Sequence, residues 1–134
     1  MMGPMSTTEP LLVLIAGPYR SGTGDDPARL AANVDLMNRA ALEVFRRGHI
    51  PLTGEALALP LAELAGSTQT GDAAFQSVFH PYARRLVARC DAVLRVGGAS
   101  AGAGADEMIQ IARARGAAVF SAVEELPDTG ESSG

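Results

Sequence analysis

The stretch RVGGASAGAGADEM, residues 95 to 108, sets nine glycines, alanines and serines in a row and closes them with two acids, Asp106 and Glu107. Backbone this bare lets N–H groups approach a ligand closely. At the start of a helix those groups and the helix dipole favour an anion such as a phosphate. The acids admit two readings. In one they only complement the positive end of the helix that follows, as acids in first turns commonly do. In the other, a carboxylate held ionised at a helix N-terminus serves as a nucleophile or stabilises developing positive charge, which cleavage of a glycosidic bond requires. A second loop, GPYRSGTGDDP from Gly17 to Pro27, offers a phenol at Tyr19, a guanidinium at Arg20 and a hydroxyl at Ser21, followed by Gly22 and Gly24. Tyr19 can simply pack the loop and Arg20 can be solvated. Equally, the phenol can orient a carboxylate while the guanidinium and hydroxyl grip a phosphate or sugar.

These loops can cooperate only if the chain folds so that they meet. LLVLIAG (11–17) is a continuous aliphatic run that suits a strand buried on both faces. Asp26 and Pro27 then supply an N-cap and a first-turn proline, and Leu30, Val34, Met37, Ala41, Val44 and Phe45 recur at helical spacing up to Gly48. HIPLTG (49–54) is a short second strand opened by His49, a structural histidine on this reading. EALALPLAELAG (55–66), interrupted by Pro60, is a short or broken helix. Asp72 caps a helix from Ala73 that Pro81 would kink or restart and that ends near Cys90, with Phe75, Val78, Phe79, Leu86 and Val87 as its apolar stripe. DAVLRV (91–96) is a third strand. The last helix is expected from Glu107 to Arg115, stopped by Gly116, before a final strand AAVFSAV (117–123). Residues 1–10 and 127–134 are polar and aperiodic and are expected to be loosely ordered tails around one folded unit, residues 11–126. Strands alternating with helices imply parallel pairing through right-handed crossovers, hence an α/β open sheet covered on both faces, with ligands at the carboxyl ends of the strands. If the first and third strands are neighbours, the two loops flank one crevice.

Composition removes several alternatives. With a net charge of −4, aromatic residues at 4% and arginines spread over several segments, the chain lacks the basic stripe with stacking aromatics that a nucleic-acid groove needs. The single cysteine, Cys90, has no partner within the chain, and no Cys/His spacing suits zinc, so no structural metal is expected. No basic segment precedes the apolar run at 11–17, which is too short to span a bilayer, so a cytoplasmic protein without membrane contact is expected. GAGADE lies late in the chain and places acids where a dinucleotide fingerprint has its third glycine, which argues against bound NAD.

The succession of GPYR after a first strand, the helix ANVDLMNRAALEVFRRGH, then CDAVLRV, then SAGAGADE opening a helix resembles the nucleoside 2-deoxyribosyltransferase superfamily, which includes small relatives of unknown function and the deoxynucleoside-monophosphate N-glycosidases. The likeness runs over roughly residues 11 to 122 through short motifs. It implies a three-layer, flavodoxin-like open parallel sheet and an N-glycosidase or deoxyribosyltransferase acting on a nucleoside or nucleoside 5′-monophosphate. It implies no cofactor and no metal, and a homodimer or larger even-numbered assembly. Glu107 resembles the family's glutamate that attacks C1′ of the sugar. Ser100 and Gly102 match a serine and glycine that bind the 5′-phosphate, and Tyr19 resembles the tyrosine that holds the nucleophile. Gly17, Arg20, Ser21, Gly22 and Asp106 join the expected substrate contacts.

The sequence departs from that pattern in two places. Ser100 to Glu107 is about one residue longer than the family spacing, so either the loop is expanded, which the distance from Glu107 to Gly116 favours, or Asp106 takes the nucleophile's position. Ala83 stands near the place where the family carries an aspartate that acts as general acid or orients the sugar. His80 is the substitute proton donor suggested by the ordinary titration range of imidazole, although a histidine ahead of a proline also serves as a cap or packing residue. Arg84, Arg85 and Arg89 are placed on a solvated helix face, with the alternative that they face an anionic ligand. The missing acid keeps a rival open: a non-catalytic nucleotide- or sugar-phosphate-binding module that retains the phosphate loop. A third possibility is an interaction protein in which both loops are inert.

Overall fold

Strand β1, Leu12–Ala16, sends alternate side chains to two different layers, as a strand covered on both faces must. The computed structural model describes residues 9–17, 26–68, 72–97 and 102–129. In chain order the elements after β1 are α1 (Pro27–Arg46), β2 (Ile50–Thr53), α2 (Gly54–Leu64), α3 (Ala73–Val87), β3 (Ala92–Arg95), α4 (Gly102–Ala114) and β4 (Ala118–Phe120), followed by a 3-10 turn at Val123–Glu125. The four strands form one parallel sheet in the order β2-β1-β3-β4. The register pairs Val13 with Pro51 on one side and with Ala92 on the other. This is the doubly wound, flavodoxin-like order, a three-layer α/β open sheet in a single domain.

Leu14, Ala16 and Val93 pack against Ala83 and Val87 of α3 and Ala105, Met108, Ile109 and Ala112 of α4. On the opposite face Val13, Ile15, Ala92 and Leu94 pack against Met37 and Val44 of α1 and Leu126 of the C-terminal segment. Small side chains on the sheet and on α4 let the layers approach closely with few aromatics in the core. Asp26 and Asp72 cap α1 and α3 as expected: their carboxylates accept the Ala28 N–H at 3.0 Å and the Phe75 N–H at 2.8 Å. The second and third helices run unbroken through Pro60 and Pro81, each forgoing one intrahelical hydrogen bond. Packing of Ala58 and Ala62, and of Phe75, Ala83 and Val87, compensates.

Three expectations are corrected. The last helix begins at Gly102, five residues before Glu107, because glycine and alanine continue the helix once Ala105 and Met108 are anchored in the core. Val34 and Phe45, assigned by spacing to the buried stripe of α1, face outward. The stretch Pro127–Thr129, expected in a loose tail, is held in place. His49 is 2% exposed; its Nδ1 accepts the Leu11 N–H at 3.0 Å, and its Nε2 lies 2.7 Å from the Pro127 carbonyl, to which it donates. Thr129 is buried, and its hydroxyl donates to the Arg47 carbonyl at 3.1 Å. The structural reading of His49 is thereby given its reason: one neutral imidazole ties both ends of the folded unit to the turn between α1 and β2.

Candidate functional site

β1 leads through α1 to β2 on one side, and β3 leads through α4 to β4 on the other, so the strand order reverses between β1 and β3. In an open α/β sheet the crevice outside the carboxyl ends at such a reversal is where ligands bind. The pairing of Ala16 with Arg95 and the Val96 N–H donated to the Ala16 carbonyl at 2.9 Å bring the two expected loops to adjacent strand ends. Gly17 roots the first loop. A Cβ there would overlap Val96 Cγ2 and come 2.5 Å from Met37 Sδ, so the close approach of strand end to helix is itself sufficient reason for glycine at this position. Tyr19, Arg20, Ser21, Gly22 and Ser100 lie outside the described residues. Gly102 is the first residue of α4.

The early start of α4 changes the meaning of the two acids. Neither Asp106 nor Glu107 lies in the first turn, so neither complements the end of the dipole, an effect that falls off within that turn. Each has instead a particular partner. Asp106 Oδ1 lies 2.7 Å from Arg95 Nη2, at the end of β3. Arg95 shares its face of the sheet with Val93 by strand alternation, and so it reaches α4. Glu107 turns toward α3. Its Oε1 lies 3.3 Å from His80 Nδ1 and its Oε2 3.8 Å from Arg84 Nη1.

His80 and Arg84 stand four residues apart on α3 and therefore share one face, which α4 approaches at its second turn. Phe79 stacks with the His80 ring at a centroid separation of 5.9 Å and an interplanar angle of 17°. Phe75, itself buried, meets Phe79 edge-on at 5.2 Å. Aromatic packing thus limits the rotamers open to the imidazole. Ala83 points into the core between α3 and α4, so an acid at that position would be buried among aliphatic side chains. The structure therefore brings His80 and Glu107 together and separates Asp106 from them.

Arg84 is half exposed on its helix face, as expected, yet also reaches Glu107; neither that contact nor the part played by Arg95 was read from the sequence. The signal for Arg84 was its i, i+4 relation to His80. For Arg95 it was the shared parity with Val93. With an imidazole and a guanidinium each within 4 Å of one carboxylate, the cluster can hold a negative charge in a fixed direction and pass a proton between Glu107 and His80. On the other face of the sheet a pocket of about 470 Å³ opens between α1 and the segment after β4, lined by Leu36, Arg39, Glu43, Val96, Gly97 and Ser121. Glu107 does not line it. Among the described residues no group of three His, Cys, Asp or Glu side chains is placed to hold a metal ion, and no helix is long and apolar enough to cross a membrane. Compared with known proteins, the chain matches no family model and no curated sequence.

Proposed function

We propose that the protein cleaves or transfers the N-glycosidic bond of a nucleoside or nucleoside 5′-monophosphate, with Glu107 as the nucleophile. The single observation that carries this reading is the position of the Glu107 carboxylate, between His80 and Arg84 and in the second turn of the helix that follows the β3 loop at the sheet's topological switch point. In the proposed reaction one Glu107 oxygen forms a bond to C1′ as the C1′–N bond breaks. The departing base takes the electron pair and a proton supplied by His80. Water, or a second base, then attacks C1′ and releases the carboxylate, and the proton given up by that attacking group restores His80. Arg84 would hold the second carboxylate oxygen and so orient the first. Ser100 and Gly102 would receive the 5′-phosphate, with Arg20, Ser21 and Gly22 on the sugar and phosphate and Tyr19 against the nucleophile.

The rival is a binding module without catalysis. It is favoured by the burial of Ala83 in the core, which leaves the position of the family's aspartate without an acid. Both readings are tested together by incubating the protein with nucleosides and 5′-monophosphates, following free base by chromatography and binding by thermal shift. Catalysis predicts base release that Glu107→Gln abolishes while the thermal shift survives, a rate lowered by His80→Gln, and Asp106→Asn within a few-fold of wild type. A thermal shift without base release leaves the binding module. If Asp106→Asn abolishes turnover and Glu107→Gln does not, the nucleophile has been assigned to the wrong acid.

A further inference from the structure

The pocket between α1 and the segment after β4 exists because the sheet is incompletely covered on that face. β4 has only three residues, and the chain then enters the short 3-10 turn at Val123–Glu125 instead of a helix. The gap left between α1 and that turn is about 470 Å³, within the range of small-ligand pockets. It lies against the carboxyl end of β3, with Leu94 and Val96 beneath it. Its charged groups come from two elements. α1 supplies Arg39 and Glu43, four residues apart and so on one helix face, and the turn supplies Glu124. Asp35 accepts the Arg39 Nε–H at 2.6 Å, which fixes the guanidinium by one edge. The two Nη groups have no partner among the described residues. Glu125 accepts the Ser121 N–H at 2.8 Å, whereas the carboxylates of Glu43 and Glu124 have no hydrogen-bond or ion-pair partner among the described residues.

We propose that this pocket binds a small zwitterion, an α-amino acid with an apolar side chain. The Nη fork of Arg39 takes the ligand's carboxylate in the two-bond geometry that guanidinium and carboxylate share. Glu43, one turn farther along α1, and Glu124 take the ammonium, whose three N–H donors suit two carboxylates. The side chain lies over Leu94 and Val96, and its burial adds the affinity that charges at an open rim supply only weakly. Simpler ligands match less of the site. An anion alone meets two uncompensated carboxylates, and a cation alone meets the guanidinium. A neutral sugar engages neither charge. Glu107 stands on the α4 side of the sheet and does not line the pocket, so the inference is independent of the glycosidic reading.

Isothermal titration calorimetry on the full chain at neutral pH tests it with L-leucine, L-methionine and L-phenylalanine. N-acetyl-L-leucine, which lacks the ammonium, and isoamylamine, which lacks the carboxylate, serve as the two half-ligands. At least one of the three amino acids should bind, and at least about tenfold more tightly than either half-ligand. Arg39→Gln should weaken that binding at least about tenfold, and so should Glu43→Gln combined with Glu124→Gln. All three side chains are exposed, so the fold should survive, which far-UV circular dichroism checks. Arg113→Gln, on α4 at the other face of the sheet, should leave the affinity unchanged. Absence of binding by all three amino acids up to about 10 mM overturns the inference. So does N-acetyl-L-leucine binding as tightly as L-leucine, or an affinity indifferent to Arg39 and to the two glutamates. Base release from nucleosides, measured separately, decides the glycosidic reading whichever way this one falls.

Discussion

Replacing Asp106 and Glu107 separately should have unequal effects on stability, although they are adjacent and carry the same charge. Arg95 is three-quarters buried at its side chain and meets Asp106 at 2.7 Å, a charge-assisted contact partly withdrawn from water. Such a pair lies between exposed pairs, worth about 0.2–1 kcal/mol, and buried ones, whose breaking costs about 3–5. Asp106→Ala should therefore cost about 1–2 kcal/mol. Glu107 meets Arg84 only at 3.8 Å, and both it and His80 are about two-fifths exposed, so Glu107→Gln should cost no more than about 0.5 kcal/mol. For a chain of this length the first change lowers the melting temperature by roughly 4–7 °C and the second by one or two. Urea unfolding followed by circular dichroism, at low salt and in molar salt, measures both. The Asp106 effect should persist in salt because a partly buried pair is poorly screened. Equal losses that both vanish in molar salt would refute this reasoning and return the acids to the role of solvated charges at a helix end.

Gly48 and Gly116 both hold positive φ, 94° and 80°, but a Cβ at Gly116 meets nothing within 4 Å, whereas at Gly48 it would overlap the Thr129 hydroxyl and stand 2.9 Å from Thr129 Cβ. Gly116→Ala should cost about 1 kcal/mol and Gly48→Ala about 2–3, the excess being the displaced C-terminal strap, and equal unfolding midpoints would show that the strap is not packed there. Burial, and then the charge of Asp91, push the Cys90 thiol from its ordinary 9.0 up to about 11, so at about pH 8 a thiol reagent should label the native protein on the order of a hundredfold more slowly than the unfolded chain; equal rates would contradict the burial. The unfolded chain loses this proton first, so the group leaves stability unchanged below about pH 9, and stability falls as pH rises from there toward 11.

The order of elements and the parallel open-sheet architecture were legible in the residues alone. A buried strand, a capped helix and a small-residue turn are written in local patterns: LLVLIAG, Asp26 with Pro27, Asp72, and Gly116 after its helix. The sequence also singled out Glu107 and His80 separately, because a carboxylate and an imidazole are recognisable by type. What it could not decide was their relation, since the contact between α3 and α4 depends on how two helices settle on the same sheet face. The start of α4 was misplaced for the same kind of reason. GAGA has weak helix preference, and it is helical here because Ala105, Met108 and Ile109 are fixed in the core, an energy that local preference does not contain. Likewise the spacing of Val34 and Phe45 shows an apolar flank on α1 but not what covers it, and Thr129 shows no sign in its neighbours that it will lie against Gly48. Those decisions belong to contacts between segments far apart in the chain, where shape and burial outweigh propensity.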